Sequence, residues 1–211
     1  MYRKFMKRTL DILISVCGLA VLIIPMLIIS LAIILDSKGG ALFKQKRLGK
    51  NKKIITVYKF RTMIPNAYAL GGTNTYKNDP RITRVGAFLR KTSLDETPQL
   101  WNIIKGDMSI IGPRPILAEE ELEVEAPELY EQRYSALPGL FCTVDLEYRA
   151  AASRTMQFQM DLEYVKSISF CQDCKVFFGT IKTVLTGSNV YKEEKEDDVR
   201  EPEKDKDEVR K

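Results

Sequence analysis

Across 211 residues the chain carries 33 Lys and Arg against 28 Asp and Glu, with four cysteines and no histidine. That length suits one domain with a real core plus terminal segments, and the missing histidine excludes imidazole from any acid–base, nucleophilic or zinc role. The net +5 understates the body, because residues 192–211 hold seven cations and ten anions and leave 26 against 18 elsewhere; a basic body suits phospholipid head groups, nucleotides or nucleic acid.

The first element is apolar. From Ile12 to Leu35 the sequence is uncharged and rich in Leu, Ile and Val, with Arg3, Lys4, Lys7 and Arg8 before it and Lys38, Lys44, Lys46 and Arg47 after it. A helix of that length reaches ~36 Å, enough to cross a bilayer. The stretch is too long for a cleaved signal peptide, and a basic segment follows at once. Basic clusters at both ends give no orientation under the positive-inside rule, whereas a hairpin with both ends cytoplasmic satisfies it twice. Pro25, at the centre, removes a backbone hydrogen bond and clashes with the preceding turn. The expectation is a membrane anchor over residues 1–38, a helix hairpin re-entering at Pro25, with a spanning helix as the alternative.

Residues 39–190 read as a small catalytic-size domain of α+β class, mostly helical. Residues 42–63 contain a Gly-Lys-Asn turn and a β-branched run, a short hairpin ending at Lys59 and Arg61. The stretch 64–78, with Pro65, Asn66, Gly71, Gly72 and Asn74, reads as a loop. Asp79-Pro80 has N-cap and N1 character for a helix over roughly 80–91, with Val85, Phe88 and Leu89 on its apolar face. Pro98 opens a shorter helix through Leu100, Trp101, Ile103 and Ile104 to Lys105-Gly106. The acidic segment 116–134 is helical in composition and interrupted by Pro127, and Pro138-Gly139 is a turn. Two further helices follow Met156, Met160, Tyr164 and Phe177, Ile181, Val184, Leu185. Residues 191–211 form a charged tail with the composition of disorder. Cys171 and Cys174 make one C-x-x-C, which without further ligands reads as two small residues on a helix.

Chemistry is open at Asp95 and Glu96. Ser93-x-x-Glu96 matches a capping box, which would make Glu96 structural. A helix start at Thr97–Pro98 instead leaves both carboxylates in the preceding turn, near the positive end of a helix dipole that favours carboxylate and phosphate. Arg90 is either a solvated C-terminal cation or a phosphate clamp; Lys59 and Arg61 are either edge-strand charges or phosphate ligands. In GDMSIIGPRP, Pro113 and Pro115 flank Arg114 and present its guanidinium at low entropic cost, which points to an anion or nucleotide contact.

Taken together, KRTLDIL with its proline-interrupted apolar segment, YKFRTM, RVGAFLRKTSLDETPQLWNIIKGDMSIIGPRP and YVKSISFCQDCKVFFGTIKTVL resemble the small monotopic bacterial sugar transferases, the polyprenyl-phosphate phosphoglycosyl transferases. The resemblance covers about Lys7 to Leu185. It implies that Asp95 attacks the sugar-bearing phosphorus of a UDP-sugar and expels UMP. Polyprenyl (undecaprenyl) phosphate then takes the phospho-sugar in the first membrane step of bacterial glycan assembly. It further implies Mg²⁺ held by Asp95 and Glu96, with Lys59, Arg90, Pro113, Arg114 and Pro115 at the phosphates and nucleotide. Asp161, Asp173 and Arg149 take supporting roles. The implied setting is the bacterial inner membrane, with the catalytic domain facing the cytoplasm on membrane phospholipid and downstream glycosyltransferases as possible neighbours. Family members usually break the anchor at Ser-Pro, where this chain has Ile24-Pro25. Many also read close to PGITGWAQVNGR where this chain has PGLFCTVDLEYR, which unsettles any transfer of sugar preference. A different class, a non-catalytic membrane adaptor, explains the anchor and the charge but not the cluster of Arg90, Asp95, Glu96 and Arg114. Nucleic acid is disfavoured, since only Tyr58 and Phe60 could stack near the basic stretch.

Overall fold

In the computed structural model, residues 2–71, 79–148 and 152–186 are described. The expected tail at 191–211, Arg149 and residues 72–78 of the expected loop lie outside them.

Helix α1 runs from Lys7 to Asp36 as one element after a π-helical turn over Tyr2–Met6. The two-armed hairpin expected at Pro25 is not what these residues form: Pro25 lies inside the helix, which continues through it. Proline deletes one N–H from the ladder, and residues on both sides of it pack against the domain. Asp11, Ser15 and Ile33 are buried, Leu19 and Leu22 pack against the main core, and Met26 and Ile29 pack beside Phe60 and Leu89. These residues recur at helical spacing, so one stripe of α1 lies along the domain from end to end. The opposite stripe is bare: Val21, Ile24, Leu27, Ile28, Leu31 and Leu35 are all exposed.

Both ends of α1 are tied down. Arg8 donates to the carbonyls of Ile103 and Ile104 at 2.8 and 3.1 Å, supplying donors to a helix end that lacks them. Asp11 accepts from Ser109 Oγ and Ile110 N. At the far end Asp36 accepts from Val85 N at 3.0 Å, and Arg61 donates to the carbonyls of Ser37, Lys38 and Gly40 at 2.9, 2.7 and 2.7 Å. Arg61, which the sequence left open as a phosphate ligand, is a C-terminal cap.

Strands β1 (Leu42–Leu48) and β2 (Ile54–Phe60) form the expected antiparallel hairpin, with Arg47 opposite Ile55 and Phe43 opposite Lys59. Opposed residues share a face, so Arg47, Val57 and Lys59 point the same way. After a short helix α2 (Ala67–Gly71) comes α3 (Arg84–Thr92). Its N-cap is Thr83, whose Oγ1 accepts from Gly86 N, and not Asp79. Asp79 is already engaged, forming a buried pair with Arg81 at 2.6 Å. Gly86 is required where it stands, since a Cβ there would lie 2.0 Å from the carbonyl oxygen of Thr62.

A 3-10 turn over Leu94–Glu96 leads into α4 (Gln99–Lys105), closed by Gly106 in the left-handed region. Strand β3 (Ser109–Ile111) pairs in parallel with β4 (Gly139–Phe141), a two-stranded element the sequence did not suggest. Their loops cross so closely that a Cβ on Gly112 would meet Leu137 O at 2.4 Å. The acidic stretch forms a single turn, α5 (Ala118–Glu121), then a 3-10 run over Pro127–Ser135. Helices α6 (Val144–Glu147), α7 (Arg154–Lys166) and α8 (Phe170–Thr186) complete the described fold. The main core gathers Ile55, Val57, Leu100, Ile103, Met108 and Tyr164 from the hairpin, α4, the β3 region and α7.

Candidate active site

The site is built where the hairpin, the start of α4 and the two loop crossings meet. Ser93, at φ 57°, turns the chain sharply after α3 and sets Asp95 and Glu96 on the following 3-10 turn. The capping box does not form: Ser93 makes no side-chain capping bond to that turn, and Glu96 Oε1 instead accepts from Lys59 Nζ at 2.7 Å. Glu96 is therefore a cleft residue rather than a cap.

A cleft of about 350 Å³, its open mouth included, is lined by Arg47, Val57, Lys59, Glu96, Gln99, Arg114, Pro115, Gly139, Leu140 and Cys142. Three cations thus face one carboxylate in its wall. Asp95 adjoins the cleft, and its carboxyl feels both Lys59 and Arg90. Burial pushes Asp95 up to about 6, and the neighbouring Glu96 charge adds to the rise, while Lys59 and Arg90 pull the other way. For Glu96, burial also opposes ionisation, but Lys59, Arg114 and Arg47 outweigh it and hold the group below the ordinary glutamate value. Two adjacent carboxyls with values driven apart have distinct chemical roles available to them. Glu96 is a carboxylate whose ionised form its cations favour, and Asp95 is a desolvated carboxylate, still mostly ionised at pH 7.

Arg90 donates through Nε to Thr62 Oγ1 at 2.9 Å, and the Thr62 backbone packs closely on Gly86 of the same helix. Arg114 projects from the loop after β3 and donates to Asp145 Oδ1 at 3.1 Å. Asp145 in turn accepts from the Cys142 backbone N and thiol at 3.1 and 2.8 Å. Burial raises the Cys142 thiol well above its usual range, so it is a poor nucleophile. Pro113 and Pro115 fix the loop through their carbonyls, which accept from Gly139 N at 2.8 Å and Arg47 Nη1 at 3.2 Å.

Of the residues the sequence singled out, Lys59, Glu96, Arg114 and Pro115 share the cleft; Asp95 directly precedes Glu96, and Arg90 lies within electrostatic reach of Asp95. Asp161 and Asp173 lie elsewhere in the fold's interior. Asp161 pairs with Arg133 at 2.5 Å, with both side chains at most 1% exposed, and accepts from Arg114 N. Asp173 accepts from Lys7, Tyr2 and Tyr164 at 2.6, 2.5 and 2.7 Å, locking α8 to the start of α1. Sequence reasoning missed Arg47. Burial lowers it to about 10 against the pull of Glu120, its ion-pair partner at 3.2 Å. The two-residue period of β1 was the available signal, since it separates Gln45 and Arg47 from Lys44 and Lys46.

A divalent cation of the Mg²⁺ type takes hard oxygen ligands, commonly one or two carboxylates completed by substrate phosphates. Asp95 and Glu96 fit that donor set. Among the described residues no group of three or more His, Cys, Asp or Glu gathers into a self-sufficient metal cage.

Comparison with known proteins places this geometry in context. The family model for bacterial sugar transferases matches residues 2–187. An exopolysaccharide production protein (PSS) of Rhizobium leguminosarum bv. phaseoli is 42% identical over 192 residues, 86% of this chain and 96% of that protein. The UDP-N-acetylgalactosamine-undecaprenyl-phosphate N-acetylgalactosaminephosphotransferase of Aeromonas hydrophila is 38% identical over 188 residues, 87% of this chain and 44% of that protein. The undecaprenyl-phosphate galactose phosphotransferase of Salmonella typhimurium is 36% identical over 205 residues, 89% of this chain and 42% of its own. The chain thus spans nearly all of the first relative and under half of the other two.

Proposed function

The chain belongs to the bacterial sugar transferase family and is a phosphoglycosyl transferase, and on that premise we propose that it transfers a sugar-1-phosphate from a UDP-sugar to undecaprenyl phosphate through Asp95. The observation that carries the reading is the pair of adjacent carboxyls with opposed environments: Asp95 raised to about 6, and Glu96 held ionised by Lys59 beside a cationic cleft.

In the first step an Asp95 carboxylate oxygen attacks the sugar-bearing phosphorus. An O–P bond forms to the carboxylate, the bond to the bridging oxygen breaks, and UMP leaves with that electron pair. In the second step a phosphate oxygen of the polyprenyl phosphate attacks the same phosphorus, and the Asp95 carboxylate is released. No histidine is required, because the nucleophile is an anion near neutral pH. The partial desolvation that raises Asp95 also makes it a stronger base than a surface aspartate. Lys59, Arg114 and Arg47 line the cleft where phosphate charge must be offset, and Arg90 adds its charge near Asp95. Asp95 and Glu96 would hold Mg²⁺, which supplies neutralisation of phosphate charge when bound.

The proposed setting is the bacterial inner membrane, with the domain on its cytoplasmic face. Helix α1 is long and apolar enough to cross a membrane. Against a crossing stands the tethering of both its ends to one folded body, through Arg8 and Arg61. The anchor therefore lies along one face of the membrane with both of its ends on the same side and its bare stripe in lipid. Labelling of an N-terminal cysteine from the periplasmic side alone would contradict that topology.

The activity is tested by incubating the full-length protein with a panel of UDP-sugars, undecaprenyl phosphate and Mg²⁺ and following UMP. At least one sugar is expected to give UMP, and Asp95→Asn is expected to give none while its melting temperature stays at or above that of the wild type. Wild-type silence across a broad panel would favour a membrane adaptor instead.

A further inference from the structure

The cleft wall contains a polar group that neither the fold nor the steps above employ. Gln99 opens α4, three residues after Glu96 and four after Asp95, and lines the same cleft. It is only 2% exposed, yet its Nε2 has no hydrogen-bond partner. An amide N–H taken out of water without a partner is destabilising, and an apolar side chain of similar shape would be tolerated at least as well.

The same helix shows what a structural amide looks like. Asn102, also buried, donates through Nδ2 to Thr56 O at 2.6 Å and accepts at Oδ1 from Tyr58 N at 3.1 Å, fastening α4 to β2. The Gln99 donor makes no such cross-link. Of the partnerless buried side-chain atoms among the described residues, it is the one that belongs to the cleft.

Its surroundings define the acceptor. Arg47, Lys59 and Arg114 share the wall, and the one carboxylate in it, Glu96, is engaged by Lys59. A neutral donor among cations suits the oxygen of an anion. Thr97 and Pro98 are both in right-handed helical conformation, so Gln99 follows Glu96 by about one turn, and both line the cleft beside Asp95. We propose that Gln99 Nε2 donates to a phosphoryl oxygen of the substrate, on or next to the phosphorus that Asp95 attacks. This rests on the assignment of Asp95 as nucleophile. The oxygen belongs either to the UDP-sugar diphosphate or to the polyprenyl phosphate, and the two half-reactions separate these sources.

The test uses the full-length protein with the UDP-sugar that the wild type turns over best, and compares Gln99→Leu with wild type. UMP release without acceptor reads the donor half-reaction; release of the phospho-sugar to undecaprenyl phosphate reads the acceptor half. The expected result is a ~10- to 100-fold loss in one half-reaction or both, the weight of one hydrogen bond to a charged acceptor. The melting temperature should be unchanged or higher, since a partnerless donor has been removed. Loss confined to the first half assigns the contact to the donor, and loss confined to the second assigns it to the acceptor. Unchanged rates in both halves overturn the proposal while leaving Asp95 in place, as does a lowered melting temperature with normal kinetics. If leucine fails to fold, Gln99→Met, unbranched like glutamine, carries the same expectations. A wild type that releases no UMP from any sugar would overturn the Asp95 reading and this one with it.

Discussion

Asp161→Asn offers a sharp test of how the cleft is supported. In the native fold Arg133 is buried, with its guanidinium over the rings of Phe158 and Tyr134 at 4.2 and 4.8 Å and its Nη2 donating to Arg114 O at 2.8 Å. Asp161 neutralises it at 2.5 Å and also accepts from Arg114 N. Asparagine keeps an acceptor for the Arg114 N–H but leaves the arginine as an uncompensated buried charge. Breaking one side of a buried pair costs about 3–5 kcal/mol, which in a domain of this size lowers the melting temperature by roughly 6–20 °C. Thermal unfolding followed by circular dichroism in detergent reads the loss directly. Replacing both partners, Arg133→Met with Asp161→Leu, should recover much of it, because the pair's own net contribution is small once neither charge remains. A single variant within about 3 °C of wild type would show that Asp161 does not hold the buried Arg133 charge, and would return Asp161 to a role in the chemistry.

Three further outcomes follow from the geometry. Asp95 must lose its proton to attack, so single-turnover UMP release should fall about tenfold per pH unit below about 6. Because the folded state binds that proton more tightly than the unfolded chain does, Asp95 works against stability as pH rises from its ordinary value to about 6, and adds no further change above. Glu96→Gln removes a like charge beside Asp95, so in its residual activity the acid limb should move to lower pH; a limb that stays or rises would contradict the coupling. Gly86→Ala places a methyl 2.0 Å from Thr62 O, and an overpacked contact of this kind costs about 1–3 kcal/mol or more. Since Thr62 Oγ1 holds Arg90, kcat/KM should fall along with the melting temperature, and wild-type values of both would show that the contact gives way freely.

Much of the frame was legible because it depends on local patterns. The β-branched run after Gly-Lys-Asn fixed the hairpin, and Pro98 fixed where α4 could begin. What escaped was whatever depended on a distant partner. Asp79-Pro80 looks like a helix start, but Arg81 claims the carboxylate and the cap passes to Thr83. The parallel pairing of β3 with β4 joins segments nearly thirty residues apart, and only the loop crossing at Gly112 and Gly139 brings them together. Helix α1 read as an anchor because its apolar run is uninterrupted; Asp11, the buried carboxylate that ties it to Ser109 and Ile110, lies just before that run and looks incidental. Within the site, Lys59, Glu96 and Arg114 were visible through charge and proline bracing. Arg47 and Gln99 were hidden, the first among many basic residues and the second because a glutamine in a helix carries no signal until its burial is known.

In the proposed reaction Asp95 becomes covalently attached to the phospho-sugar. Intact-protein and peptide mass spectrometry after mixing the enzyme with UDP-sugar and Mg²⁺, without acceptor, measures it directly. A mass increase of one sugar phosphate is expected on the peptide containing Asp95, formed with stoichiometric UMP, discharged by undecaprenyl phosphate and absent from Asp95→Asn. UMP release at the wild-type rate by Asp95→Asn, or an adduct mapped to another residue, would contradict it.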